Sequence, residues 1–185
     1  MRRILLHLLV LGTLFSDVAN LHAQRPTEYQ VKAAFLFNFA RFVTWPAESF
    51  EREEEPLVIG ILGVDPFGER LDGIILNKKV GGRSLVAKRF GSTAKAELCH
   101  ILFVSPSEAP QLPAILDQFE GEAVLIVGES PGFCEAGGMI NLVLHANKVR
   151  FEINLESTEQ AGLKLSSQLL KLASAIHGAK NGEAK

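Results

Sequence analysis

Gly128-Glu129-Ser130-Pro131-Gly132 has the G-x-S-x-G spacing that presents a nucleophilic serine on a sharp turn, and it follows the apolar run Ala123 to Val127, where such a turn belongs. The chemistry would be acyl transfer, with Ser130 attacking, a histidine as base and an acid orienting that base. Pro131 argues against it. The amide after the serine normally donates to the oxyanion, and proline has no N–H. No aspartate follows Ser130 in the chain, so a glutamate would have to orient the base. The histidines on hand are His145, beside an expected hairpin turn, and His177, in what reads as a final helical turn. No catalytic residue is assigned, and the chain reads as a non-enzymatic protein.

The other chemistry-bearing residues lead to no cofactor and no metal. The stretch GESPGFCEAGG lacks the Lys and Ser/Thr pattern that contacts phosphate and magnesium, and no helix clearly follows it. His100, His145 and His177 are scattered, and neither cysteine has a second ligand at zinc-site spacing. Asp65 and Glu69 are four residues apart, which more often marks a wet helix face than an acid/base pair. The two cysteines, Cys99 and Cys134, leave two readings open. A bridge between them would stabilise the fold by roughly 3 to 4 kcal/mol. The alternative is a pair of unlinked thiols, with Cys99 a small hydrophobe at the head of the run CHILFV.

The elements that must position these groups begin after a leader. Arg2 and Arg3 precede the apolar run Ile4 to Phe15, and Leu21-His22-Ala23 offers a signal-peptidase site, so residues 1–23 read as a cleaved export signal. The run is shorter than the roughly 20 apolar residues of a membrane span, and no direct membrane insertion is expected. Residues 24–177 then read as one domain, and 178–185 as a flexible tail. The slightly acidic balance, with formal net charge -2 for the whole chain, suggests no nucleic-acid partner.

Tyr29 to Val43 reads as a helix crowded with phenylalanine and stopped by Trp45-Pro46. Leu57 to Leu62, Ser84 to Phe90, Cys99 to Val104 and Ala123 to Val127 read as strands. Pro66 to Ile75 and Pro110 to Phe119 read as crossover helices, with Asp65 and Ser107 as candidate caps. Ile140 to Leu144 and Val149 to Ile153 alternate apolar and polar residues around a turn at Ala146-Asn147, which predicts an antiparallel hairpin with one buried face. A short helix over Leu155 to Ala161, ended by Gly162, precedes a last helix capped by Ser167, with Leu169, Leu172, Ala173 and Ile176 as its apolar stripe. The fold class is α/β: a single-domain, three-layer-like mixed sheet with a parallel part, flanking helices and a C-terminal antiparallel hairpin.

Five blocks then carry a resemblance: YQVKAAFLFNFARFVTWP from Tyr29, CHILFVS from Cys99, GGMIN from Gly137, RFEIN from Arg150 and GLKLSSQLL from Gly162. Together they resemble the YfiR (YfiR/HmsC-like) family. The resemblance implies a periplasmic repressor that binds the periplasmic domain of a YfiN-like membrane diguanylate cyclase and lowers cyclic-di-GMP and biofilm output. A YfiB-like, OmpA-type lipoprotein is the implied antagonist. The implied partner-binding residues are Glu152 and Ile140, and the hairpin's polar face adds Arg150. Some such proteins carry four cysteines in two bridges, but here Asn141 stands seven residues past Cys134, where a partner would be expected. A homodimer remains open. So does a small-molecule sensor, whose ligand would favour the crevice beyond the strand carboxyl ends, near Gly63 to Asp65, Val104 to Ser107 and Gly128 to Pro131.

Overall fold

Residues 26–178, apart from 53, 94, 95, 97 and 98, are described in a computed structural model. The expected leader and the tail from residue 179 onward lie outside the described residues.

Thr27 opens the first helix, α1 (Glu28–Phe42), through a reciprocal capping box. Its hydroxyl accepts from the Gln30 amide at 3.3 Å, and the Gln30 side chain accepts from the Thr27 amide at 2.7 Å. The helix gives way to the extended pair Val43–Thr44 (β1), ahead of Pro46, which cannot continue a helix. Leu36, Phe39 and Ala40 form its buried face. Phe35 and Phe39 each meet Phe151 edge to face, with ring centroids 5.4 Å apart.

The remaining elements are β2 (Leu57–Leu62), α2 (Glu69–Ile75), β3 (Lys79–Val80), β4 (Arg83–Phe90), β5 (Ile101–Val104), α3 (Leu112–Gln118), β6 (Leu125–Gly128), β7 (Ile140–His145), β8 (Lys148–Asn154), α4 (Leu155–Gln160), β9 (Lys164–Leu165), α5 (Ser167–Leu172) and β10 (Ala175–His177). Eight strands share one sheet in the order β10-β8-β7-β6-β5-β2-β4-β3, while β1 pairs with β9 apart from it. Neighbours from β4 through β7 are parallel, and the β3–β4 and β7–β8 pairs are antiparallel. The connections β2-α2-β4 and β5-α3-β6 leave the β2–β5 pair in opposite directions. Right-handed crossovers therefore place α2 and α3 on opposite faces. This is the mixed α/β sheet with a parallel part and terminal hairpin that the periodicity implies. Phe103, Val127, Ile140 and Ile153 stand in one register line across four strands, on the face that Phe151 presents to α1.

The C-terminal reading needs correction. Ser166, not Ser167, caps α5, accepting from the Leu169 amide at 3.2 Å. The helix ends at Leu172 instead of continuing through Ile176. Ser174 donates to the Phe151 carbonyl from both its amide and its hydroxyl at 2.8 Å, which turns the chain so that Ala175–His177 joins β8 as a parallel edge strand. The open edge of β8 offers backbone partners that a longer helix could not use. The supposed stripe is accordingly incomplete: Leu169 is buried, but Leu172 and Ile176 are exposed. Asp65 is no helix cap either, since it accepts from the Phe67 and Gly68 amides in a side-chain turn and α2 starts only at Glu69. The expected helix from Pro110 is split into a 3-10 turn over Pro106–Gln111 and α3.

Two glycines, Gly128 at the end of β6 and Gly138 ahead of β7, make room for one ring. Phe133 is buried between Gly128 and Gly138, where an added methyl would come within 2.2 Å and 2.1 Å of its carbons. Gly128→Ala and Gly138→Ala are each expected to lower stability by about 1–3 kcal/mol in urea unfolding. Gly73→Ala in α2 meets nothing within 4 Å and is expected to raise it by about 0.5–1 kcal/mol. Equal effects at the three positions would show that the Phe133 packing is not the reason for the glycines.

Candidate functional site

The carboxyl ends of the parallel strands form the first place for a ligand, because the strand order reverses between β2 and β5. That point is filled. Ser107 Oγ accepts from the Val64 amide at 3.0 Å, and a methyl on Gly63 would lie 2.4 Å from the same oxygen. The space is open one strand further on, beyond β6, as a cleft of about 510 Å³ that includes Tyr29, Lys32, Pro106, Glu129, Ser130 and Asn141 in its lining.

Lys32, from α1, and Glu129, from the loop after β6, form an ion pair in that cleft with both side chains at most 5% exposed. Glu28, one helical turn before Lys32, pairs with the same ammonium. Tyr29 donates its hydroxyl to Glu129 at 3.1 Å, and the ammonium lies 4.9 Å from the Tyr29 ring centroid. Burial pulls the Lys32 pKa down, but hydrogen bonds and attraction from Glu129 and Glu28 outweigh it and hold the amine above its usual value. Burial and the Glu129 charge push the Tyr29 hydroxyl up. The sequence signals were faint: Lys32 is one of two cations, with Arg41, in a largely apolar helix, and Glu129 is a variable position of the serine motif. Asn141 is also buried, and its side-chain oxygen has no hydrogen-bond partner. Among the described residues, no hydrogen bond joins Ser130 to His145 or His177; the Ser130 carbonyl instead closes a turn with the Phe133 amide.

The hairpin separates its expected site residues. Ile140 is fully buried opposite Ile153, whereas Arg150 is exposed and Glu152 is half-buried on the reverse face of β8. Ala146 and Asn147 have φ of 47° and 59°, the left-handed pair that a two-residue hairpin turn requires.

Both cysteines are free and buried. Cys99 precedes β5 and Cys134 follows β6, so the length of the parallel strands lies between them. Burial pushes the Cys99 thiol up to about 12. His100 serves the core: its Nδ1 accepts from the Val58 amide at 3.1 Å, Nε2 lies 3.2 Å from the Ser49 carbonyl, and burial lowers its pKa. The histidines are scattered along the chain and neither cysteine has a second ligand at zinc-site spacing, but the fold brings one histidine to a cysteine. Placing Ala175–His177 on the sheet edge brings His177 to Cys134 and Glu152, and donor atoms of the three lie within 4.8 Å of one another.

Removing one member of a buried ion pair strands the other. Lys32→Met is expected to cost about 3–5 kcal/mol, and Lys32→Met combined with Glu129→Leu to recover most of that loss. Additive losses in a double-mutant cycle by urea unfolding would show that the two side chains are not coupled.

Comparison with solved proteins gives distant likenesses. One is the crystal structure of a conserved domain protein from Vibrio cholerae, at 13% identity and TM-score 0.51, covering 81% of this chain and 60% of that one. Another is an ABC domain from Streptococcus pneumoniae solved in complex with L-Trp, at 13% identity and TM-score 0.47, covering 65% of this chain and 55% of that one. The chain thus spans less than two thirds of the length of either, and the first likeness speaks to fold alone. No helix among the described residues is long and apolar enough to cross a membrane. A family model described as YfiR/HmsC-like matches residues 29–174, most of the chain. The protein belongs to the YfiR/HmsC-like family.

Proposed function

We propose that the protein binds the periplasmic domain of a YfiN-like membrane diguanylate cyclase and holds down its output, with a YfiB-like, OmpA-type lipoprotein as antagonist. The supporting observation is the outer edge of the large sheet. There β10 ends the pairing with Ile176 exposed on it, Leu172 stands exposed at the end of α5, and Arg150 and Glu152 share the reverse face of β8. A sheet edge that carries exposed apolar side chains, with charged side chains on the adjoining strand, offers a reversible protein partner both anchors and polar contacts. Ile140 contributes from beneath, by holding β7 against β8 in the core. No catalytic step is needed for this role. Arg150→Glu and Glu152→Lys are expected to weaken binding to the cyclase domain by about tenfold or more in a titration, with no fall in melting temperature. Unchanged affinity in both variants would place the docking surface elsewhere.

A second reading, a small-molecule sensor acting on a membrane receptor, draws on the cleft beyond β6. It holds the Lys32–Glu129 ion pair with the Tyr29 hydroxyl beside it, polar groups that a metabolite could engage. A thermal-shift screen of periplasmic metabolites is expected to find a stabilising compound whose effect is lost in Tyr29→Phe. Stabilisation by none of them would count against the sensor.

A further inference from the structure

Cys134, Glu152 and His177 bring a sulfur, an oxygen and a nitrogen donor together from three separate segments. Glu152 lies on β8 and His177 on β10. The parallel register pairs Ala175 with Glu152 and His177 with Asn154, so the two side chains leave the same face, two positions apart. Cys134 reaches that face from the loop after β6, and the loop is tied down where the Asn154 side-chain amide donates to the Cys134 carbonyl at 2.9 Å. His177 Nε2 is 3.7 Å from Glu152 Oε2, and it is buried without a hydrogen-bond partner. A buried ring nitrogen that faces a carboxylate and a thiol, yet bonds to neither, is one that a further group could satisfy.

We propose that these three residues bind one borderline-soft divalent cation of the Zn²⁺ type, leaving a fourth position for water or a donor from a partner protein. Thiolate, imidazole and carboxylate together suit Zn²⁺ better than the all-oxygen preference of Ca²⁺ or Mg²⁺. Bonds of about 2.0–2.3 Å in a tetrahedral site set donor separations of about 3.3–3.8 Å. The His177–Glu152 pair is already at 3.7 Å, and the whole set, within 4.8 Å, needs only a small contraction. Burial, with the charges of Glu152 and Glu135, pushes the Cys134 thiol up to about 12 in the metal-free chain. Metal uptake therefore transfers the thiol proton to solvent as the metal–sulfur bond forms. Glu152 and His177 are partly exposed, which gives the ion a way in. Bound there, it would pin the edge strand β10 and the loop after β6 to β8.

The test is calorimetric titration of the reduced, chelator-treated protein with Zn²⁺, together with the absorption spectrum on adding Co²⁺ as a stand-in. One ion per chain is expected, with a thiolate-to-Co²⁺ charge-transfer band that Cys134→Ser removes. Glu152→Gln and His177→Ala are expected to weaken Zn²⁺ binding by about tenfold or more, while His145→Ala leaves it unchanged. Circular dichroism checks that each variant is folded; should the buried Cys134→Ser variant fail to fold, the two partly exposed positions decide. Absence of stoichiometric binding, absence of the charge-transfer band, or equal affinity in wild type and His177→Ala would overturn the proposal. No partner protein takes part, so the result is independent of the docking reading.

Discussion

The alternation of side chains along β8 is the constraint on which most of this molecule depends. Phe151 and Ile153 face α1 and the register line of the core, while Arg150, Glu152 and Asn154 face the other way. A slip of one residue would bury the charges and expose the aromatic ring that Phe35 and Phe39 pack against. Cross-strand pairing of Ile140 with Ile153 and Leu142 with Phe151 fixes that register from β7, and β10 reinforces it from the edge. The same period thus supplies both the packing of α1 and the polar face on which a partner or a cation can act.

On the opposite face, packing is governed by close backbone approach rather than by a helix alone. Phe133 fills the space over Gly128 and Gly138, holding the loop after β6 against the sheet. That placement has two consequences. It carries Glu129 to Lys32 at one end of the loop, and it carries Cys134 to Glu152 further along. A glycine-rich segment that resembles a nucleophile elbow in its spacing therefore works as a packed connector, and its glycines are explained by the ring they admit.

Regulatory binding and edge-strand structure are compatible for a physical reason. An edge strand keeps unpaired backbone groups and mobile neighbours, which makes it a readily remodelled part of a sheet. Here the last strand has three residues and is held by β8 alone within its sheet. Of the charged groups on β8, Glu152 faces His177 on this strand at 3.7 Å, and Arg150 is exposed. The interior of the parallel sheet is continuously apolar over β2, β5 and β6 and has no such freedom.

Local pattern was enough for the elements that local pattern controls. The apolar runs from Leu57, Cys99 and Ala123, the phenylalanine-rich helix ahead of Trp45-Pro46, and the alternating hairpin around Ala146-Asn147 were all legible, because periodicity and turn chemistry act between near neighbours. So was the family, through motifs spread along the chain. Ser174 to His177 was misread because its conformation is set by hydrogen bonds to Phe151 and its neighbours on β8, more than twenty residues away, and not by its own helical propensity. Lys32 and Glu129 are 97 residues apart in the chain, and their pairing follows from α1 crossing the carboxyl end of β6. Cys134, Glu152 and His177 likewise have no common spacing to betray them. The sequence by itself determined most of the helices, strands and turns, since those choices rest on local sterics and burial; only the tertiary structure decided that Ala175–His177 would be an edge strand and which polar side chains would meet, because both depend on strand order and register.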